Sequence, residues 1–224
     1  MKSHGIEFTI SSKNIQSKDF SWNTDFIFSK AKNEVTELNA RSSVMDLVSG
    51  YGFARQGYPV RGLFSIPFVG LSSINGKITS TDIDFQTRDN IDYLKYEGPT
   101  DPTITGSFGN IFTYKAFKLN VFITYSFGNV VRLNPCFNYQ YSDLSSMPRE
   151  FKNRWTVPGD EKHTNIPAII SKRQYEDNKD LMYAYNAYNY STERIAKGDF
   201  IRMKEISLSY DFPKSWITSA KISN

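Results

Sequence analysis

The sequence predicts an all-β chain of antiparallel strands, and three observations lead there. Apolar residues recur at every second position through several long runs, the spacing of a strand with one apolar and one wet face. Rings are abundant, 15% of residues with 17 Phe and 14 Tyr, yet the mean hydropathy is -0.47. No apolar run approaches the ~18 residues that a membrane helix needs. Many rings on a polar chain suit a membrane β-barrel, which combines an apolar band and aromatic girdles with a polar interior. The low hydropathy does not oppose that reading, because a transmembrane strand needs only about 9–11 residues and half of them face inward.

The first run alternates Ile6, Phe8 and Ile10 with Glu7, Thr9 and Ser11, and the second places Phe20, Trp22, Phe26 and Phe28 against Ser21, Asn23, Asp25 and Ser29. Together they predict a hairpin, with rings on one face and hydroxyls, amides and carboxylates on the other. Residues 33–47 are mixed, and the Gly-rich residues 50–59 read as a loop with a short strand in it. Residues 63–71 return to strand-like character, with Pro67 pointing to a bulge or an edge. Residues 75–102 are polar and rich in Asp, Thr, Asn and Gly, an excursion away from the sheet.

The clearest hairpin follows. Residues 104–114 lead through Lys115 and Ala116 to a run in which Phe117, Leu119, Val121, Ile123, Tyr125 and Phe127 share one face. Lys118, Asn120, Thr124 and Ser126 occupy the other, with Phe122 as the exception. At about 3.3 Å per residue this strand is long enough to cross a tilted hydrocarbon band, whereas strands of soluble domains usually stop at about five or six residues. Residues 134–198 hardly alternate, a length that suits an extracellular barrel loop better than a connection in a compact soluble domain. Alternation resumes with Ile206, Leu208, Tyr210 and Phe212, a turn follows at Pro213 to Trp216, and another strand is expected from Ile217 onward.

The run Lys197-Gly198-Asp199-Phe200-Ile201-Arg202-Met203-Lys204-Glu205-Ile206-Ser207-Leu208-Ser209-Tyr210-Asp211-Phe212-Pro213-Lys214-Ser215-Trp216 resembles the late-barrel signature of SusC/RagA-type TonB-linked proteins. Three further stretches are similar to the same family in the same order: residues 5–38, Gly98-Pro99-Thr100-Asp101-Pro102 leading into 106–128, and Asn153-Arg154-Trp155-Thr156-Val157-Pro158-Gly159-Asp160. The resemblance implies that residues 1–224 are the C-terminal part of a 22-stranded outer-membrane barrel, truncated at both ends. The signal peptide, the plug, the TonB-contacting motif and the final strand would then lie outside this sequence. It also implies a SusD-like lipoprotein lid, energy from TonB and a cargo of oligosaccharide or peptide. A soluble β-sandwich that binds carbohydrate, or a β-rich glycan hydrolase, are the alternatives that the strand pattern by itself leaves open.

Sites of covalent chemistry are not evident. Cys136 is the only cysteine, which excludes an intramolecular disulfide, and His4 and His163 are isolated. Asp82, Asp84 and Asp89, with Asp92 nearby, are read as a solvated loop rather than a calcium site or an acid pair, since the Gly and terminal Glu of a calcium loop are missing. Asn189-Tyr190-Ser191 formally fits a glycosylation acceptor. The net charge of +4 is mild and scattered, so no nucleic-acid partner is expected. No cofactor is expected either. The remaining candidates are loop tyrosines, Tyr183, Tyr185, Tyr188 and Tyr190, among Asn and Asp: either rings that contact cargo or rings that pack within the loop.

Overall fold

The structure, a computed structural model, describes residues 1–77, 90–137, 146–213 and 216. In chain order its elements are β1 (Lys2–Gln16), β2 (Phe20–Glu34), α1 (Val44–Val48), β3 (Gly62–Ser65), β4 (Lys95–Pro99), β5 (Ile104–Tyr114), β6 (Phe117–Phe127), β7 (Val130–Arg132), α2 (Lys172–Asp177), α3 (Lys179–Tyr188), β8 (Ile195–Lys197) and β9 (Phe200–Tyr210), with short 3-10 turns between α-helices and strands. The strand expected from Ile217 onward lies outside the described residues. The chain divides into two compact units. One, the sheet unit, comprises Ser3–Lys32, Pro102–Gly128 and Asp199–Asn224; the other, the loop unit, comprises Met1–Lys2, Asn33–Asp101 and Asn129–Gly198.

The sheet unit is a five-stranded antiparallel sheet in the order β1-β2-β5-β6-β9. Both expected hairpins form, and β5 and β6 have the bounds that the alternation marks. The register puts apolar residues on one face from strand to strand: Phe26 opposite Phe108, Phe108 opposite Ile123, and Ile123 opposite Met203. Phe8 joins them, stacking on Phe28 at 5.1 Å. This face is open, with Ile206 64% and Leu208 70% exposed. The other face carries side-chain bonds between strands: Ser29 donates to Glu7 (3.0 Å), Ser11 to Asp25 (2.6 Å) and Asn120 to Glu205 (3.0 Å).

A bulge keeps β9 amphipathic, a feature that strict alternation does not disclose. Phe122 faces Glu205 but Ile123 faces Met203, so Lys204 is an extra residue in the ladder. Without the bulge, Ile201 and Met203 would lie on the opposite face from Ile206, Leu208 and Tyr210. With it, all five share the apolar face.

Two glycines make room for rings. Gly106 has no side chain, so the Tyr125 ring lies across it and the hydroxyl donates to the Ile27 carbonyl at 2.9 Å. A Cβ at Gly106 would collide with that carbonyl and hydroxyl. Phe122, the exception on the polar face, lies against Gly109 in the same manner. One polar cluster interrupts the apolar face and satisfies itself: Asn110 accepts from the Trp22 indole N–H and from Thr24, both at 2.8 Å, and Thr24 accepts from Asn14 (2.6 Å). Stacking of Trp22 on Phe112 at 5.7 Å covers it.

The two ends of the sheet differ. At one end three residues, 17–19, join β1 to β2, and Lys115 and Ala116 join β5 to β6. Rings gather at this end of the apolar face, where Phe117 meets Tyr210 at 4.6 Å and Tyr210 meets Phe212 at 5.2 Å. At the other end the chain leaves the sheet after Lys32 and Gly128 and returns at Pro102 and Asp199. Short turns at one end and long connections at the other are the asymmetry of outer-membrane barrels.

The long connections are not structureless. In the loop unit, β3 pairs with β4 and β7 with β8. The strand-like run 63–71 stops at Ser65, two residues before Pro67. A hydrophobic core gathers Val44, Leu47 and Val48 of α1, Phe64 of β3, Ile66, Phe137, Phe151 and the buried side of α3. Capping explains why helices start in so polar a sequence. Ser43 and Asp46 form a capping box at α1, Ser171 and Gln174 form another at α2, and Asn178 caps α3 by accepting from Asp180 and Leu181.

Candidate functional site

The tyrosine-rich segment folds as α3 and the turn that follows it. Ala184, Tyr185, Ala187 and Tyr188 fall on one stripe of the helix, and that stripe is buried. The Tyr185 hydroxyl donates to the Ala168 carbonyl at 2.6 Å, and its ring meets Phe137 edge-on at 4.8 Å. Tyr188 packs edge-on against Phe137 (5.4 Å) and Phe68 (5.6 Å), and burial pushes its phenol pKa upward. Both rings are 1% exposed. Of the four tyrosines read as either cargo contacts or loop packing, these two are core residues. Tyr183 and Tyr190 are half-buried, and the Arg132 guanidinium lies 5.9 Å from the Tyr190 ring centre. The four therefore do not make one accessible surface.

Two arginines absent from the sequence-based candidates organise the same unit. Arg132 donates to the Phe64 carbonyl (2.6 Å), to the Ser65 hydroxyl (3.1 Å) and to the Ser191 carbonyl (3.2 Å). Burial lowers its pKa to about 10, with the Glu97 carboxylate working in the opposite direction, so it stays charged near neutral pH. Arg194 is 3% exposed, bonds the Asn134 carbonyl and pairs with Glu150 at 2.7 Å. That bond from Arg194 holds the Glu150 carboxyl below the ordinary carboxylate range. Nothing in their sequence neighbourhood marks these arginines, because their acceptors come from carbonyls far away in the chain.

The other sequence candidates resolve as follows. Cys136 is 2% exposed, and burial pushes its thiol up to about 11, so it is protonated and unreactive. Asn189 is 7% exposed, accepts from the amides of Cys136 (2.8 Å) and Phe137 (3.0 Å) and donates to the Phe137 carbonyl (2.9 Å). It is a bracket inside the core and not a glycosylation acceptor. Asp92 pairs with Arg55 at 2.9 Å, while Asp82, Asp84 and Asp89 lie outside the described residues. His4 is on the exposed strand β1, and His163 follows a 3-10 turn. Among the described residues, no group of three or more His, Cys, Asp and Glu is placed to hold a metal ion.

No family model matches the chain. It is similar to "TonB-dependent receptor P3" of Formosa agariphila, 25% identical over 244 residues, which cover 97% of this chain and 22% of that protein. It is also similar to "TonB-dependent receptor P39" of the same organism, 23% identical over 263 residues, covering 95% of this chain and 24% of that protein. Along its whole length this chain resembles TonB-dependent receptors. Solved structures of the RagAB peptide importer, in "open-open" and "closed-closed" states, match it with a TM-score of 0.66 and 20% identity over 96% of this chain and 23% of theirs. The fold is thus shared with part of the RagAB peptide importer. The chain spans 22% to 24% of the length of the receptors it matches. These similar proteins are named as receptors and importers, not as enzymes.

Proposed function

We propose that this chain supplies wall strands and loops to a TonB-dependent importer of the outer membrane. The observation that carries the reading is the sheet unit: strands of 11 to 15 residues with one exposed apolar face, one polar face, tight turns at one end and long connections at the other. The apolar face meets lipid and the polar face lines the barrel interior. The ends with tight turns face the periplasm, and the ends from which the long connections leave face the exterior. A sheet of five strands has edges whose unpaired N–H and C=O groups hydrocarbon does not tolerate, so the working unit is a closed barrel.

The cargo in this reading is a peptide or an oligosaccharide; a neighbouring structure described as a peptide importer supports the former. A SusD-like lipoprotein lids the barrel, a pairing supported by the RagAB importer, and TonB supplies the energy. Tyr183 and Tyr190 are the loop rings retained as cargo contacts. The chain binds and releases its cargo without covalent chemistry.

The test is fractionation of cells that express the closed barrel to which this chain contributes, followed by electrophoresis with and without boiling. Recovery in the outer membrane with a heat-dependent shift in mobility is expected. Recovery as a soluble monomer without detergent would overturn the reading and favour the carbohydrate-binding sandwich.

A further inference from the structure

The loop unit contains a cavity of about 370 Å³ lined by Leu38, Ala40, Arg41, Ser42, Arg55, Gln56, Ile91 and Asp92. Its size suits one terminal residue or one sugar ring of a longer ligand. Three charged side chains set its chemistry, Arg41, Arg55 and Asp92, beside the polar Ser42 and Gln56.

Arg55 is fixed in place. Its guanidinium lies over the rings of Tyr58 (5.4 Å) and Phe64 (5.2 Å), donates to the Ile91 carbonyl (3.0 Å) and pairs with Asp92 (2.9 Å). Those bonds use two of the five N–H donors that a guanidinium carries, leaving three without a protein partner among the described residues. The Asp92 side chain is 87% exposed, against 18% for Arg55, so the acid lies at the rim and can turn away. Arg41 makes no hydrogen bond or ion pair among the described residues and is exposed. Two guanidinium groups and one carboxylate leave the cavity with a single uncompensated positive charge. A guanidinium held by flanking rings loses little freedom when it takes a planar anion, and the planar anion that fits its fork is a carboxylate.

We propose that this cavity binds a carboxylate on a ligand, held by Arg41 and Arg55, with Asp92 as the internal competitor that the ligand displaces. The carboxylate can belong to a peptide terminus or to a uronic acid. As a statement about cargo the proposal rests on the importer reading; as a statement about binding it stands without it.

The experiment measures binding by titration calorimetry to the protein in detergent micelles, with no transport required. The probes are an N-acetylated dipeptide with a free C-terminus, the same dipeptide amidated, a galacturonic acid disaccharide and its methyl ester. At least one free carboxylate binds, its neutral counterpart binds ten-fold or more weakly, and raising the salt weakens the charged probe; the probe that binds identifies the source. Arg41→Gln, at an exposed position that no core contact uses, weakens binding about ten-fold or more, because a bond to a charged group is lost. Asp92→Asn strengthens it several-fold. Equal binding of free and neutral probes, binding by neither free acid, or an unchanged affinity in Arg41→Gln overturns the proposal. Carboxylate binding in a closed barrel that contains this chain and transports nothing would sustain the cavity and refute the importer reading.

Discussion

Placing an arginine at Ile206 tests which face of the sheet meets hydrocarbon. Ile206 faces Val121, which faces Asn110, which faces Thr24. Val121 is near the middle of β6, the strand Phe117–Phe127. A strand tilted by roughly 40° gains about 2.5 Å of depth per residue, so β6 covers about 25 Å, the height of the apolar band. In the proposed barrel Ile206 therefore sits close to the bilayer midplane, where an arginine on the lipid face costs about 2–4 kcal/mol. Tyr210, four residues along, is about 10 Å nearer the tight-turn end, and the charge penalty there falls to about 0–1 kcal/mol. Ser207 shares the depth of Ile206 but points to the polar face beside Glu205, so an arginine there is expected to change stability by less than about 1 kcal/mol. Reversible urea unfolding of the closed barrel in lipid vesicles reads all three variants. Equal losses for Ile206→Arg and Ser207→Arg, or the larger loss at Ser207, would refute the assignment of the faces.

Four further perturbations follow from the geometry. Lys115 holds a φ of +50° in a two-residue turn, so Lys115→Gly should stabilise the sheet by about 1 kcal/mol in the same unfolding assay. Deleting Lys204 removes only the bulge and leaves Ile201, Met203, Ile206, Leu208 and Tyr210 on one face, whereas deleting Ser207 sends half of β9 to the wrong face; assembly yield in the membrane should survive the first deletion and fail with the second. Asn189→Ala strands two amides and a carbonyl in the loop core, a loss of about 3 kcal/mol or more that should appear as faster proteolysis of the loops while the barrel keeps its heat-dependent mobility. Glu150 has a folded pKa below its ordinary value, so its contribution is fully present above the unfolded value near 4.3 and is lost as pH falls through the folded one; proteolysis of the loop unit should accelerate over that acid range, and Glu150→Gln should remove this part of the pH dependence.

The sheet was legible because each strand obeys a local rule. Six apolar positions at period two between Phe117 and Phe127 specify a strand, a face and a length without reference to any other residue. The bulge at Lys204 shows the limit of that rule. Residues 200–212 contain two alternating segments out of phase by one, Ile201 with Met203 and Ile206 with Leu208, and a strict period-two template sees only the longer of them. Two short alternations that change phase within one strand are themselves a sequence signal for a bulge, since only an extra residue returns both to the same face.

The loop unit was less legible because its determinants are not periodic over long stretches. Tyr183, Tyr185, Tyr188 and Tyr190 look alike as rings among Asn and Asp, yet two are core and two are half-buried. What separates Tyr183 from Tyr185 and Tyr188 is helical phase: Ala184, Tyr185, Ala187 and Tyr188 form an i, i+3, i+4 stripe in a helix capped by Asn178, while Tyr190 lies past its end. The cap Asn178 followed by Asp180 and Leu181 stood in the sequence as a helix signal independent of hydropathy, and applying it first would have put Tyr185 and Tyr188 on a buried helix face. Arg132 and Arg194 lie beyond such repair. Their partners are carbonyls of Phe64, Asn134 and Ser191 and the carboxylate of Glu150, and which carbonyl a guanidinium meets is decided only after the core has folded. In a unit that ties two arginines into its backbone carbonyls, the cations most available to a ligand are the ones the core did not use, which is why Arg41 is the position where binding and stability can be separated by a single substitution.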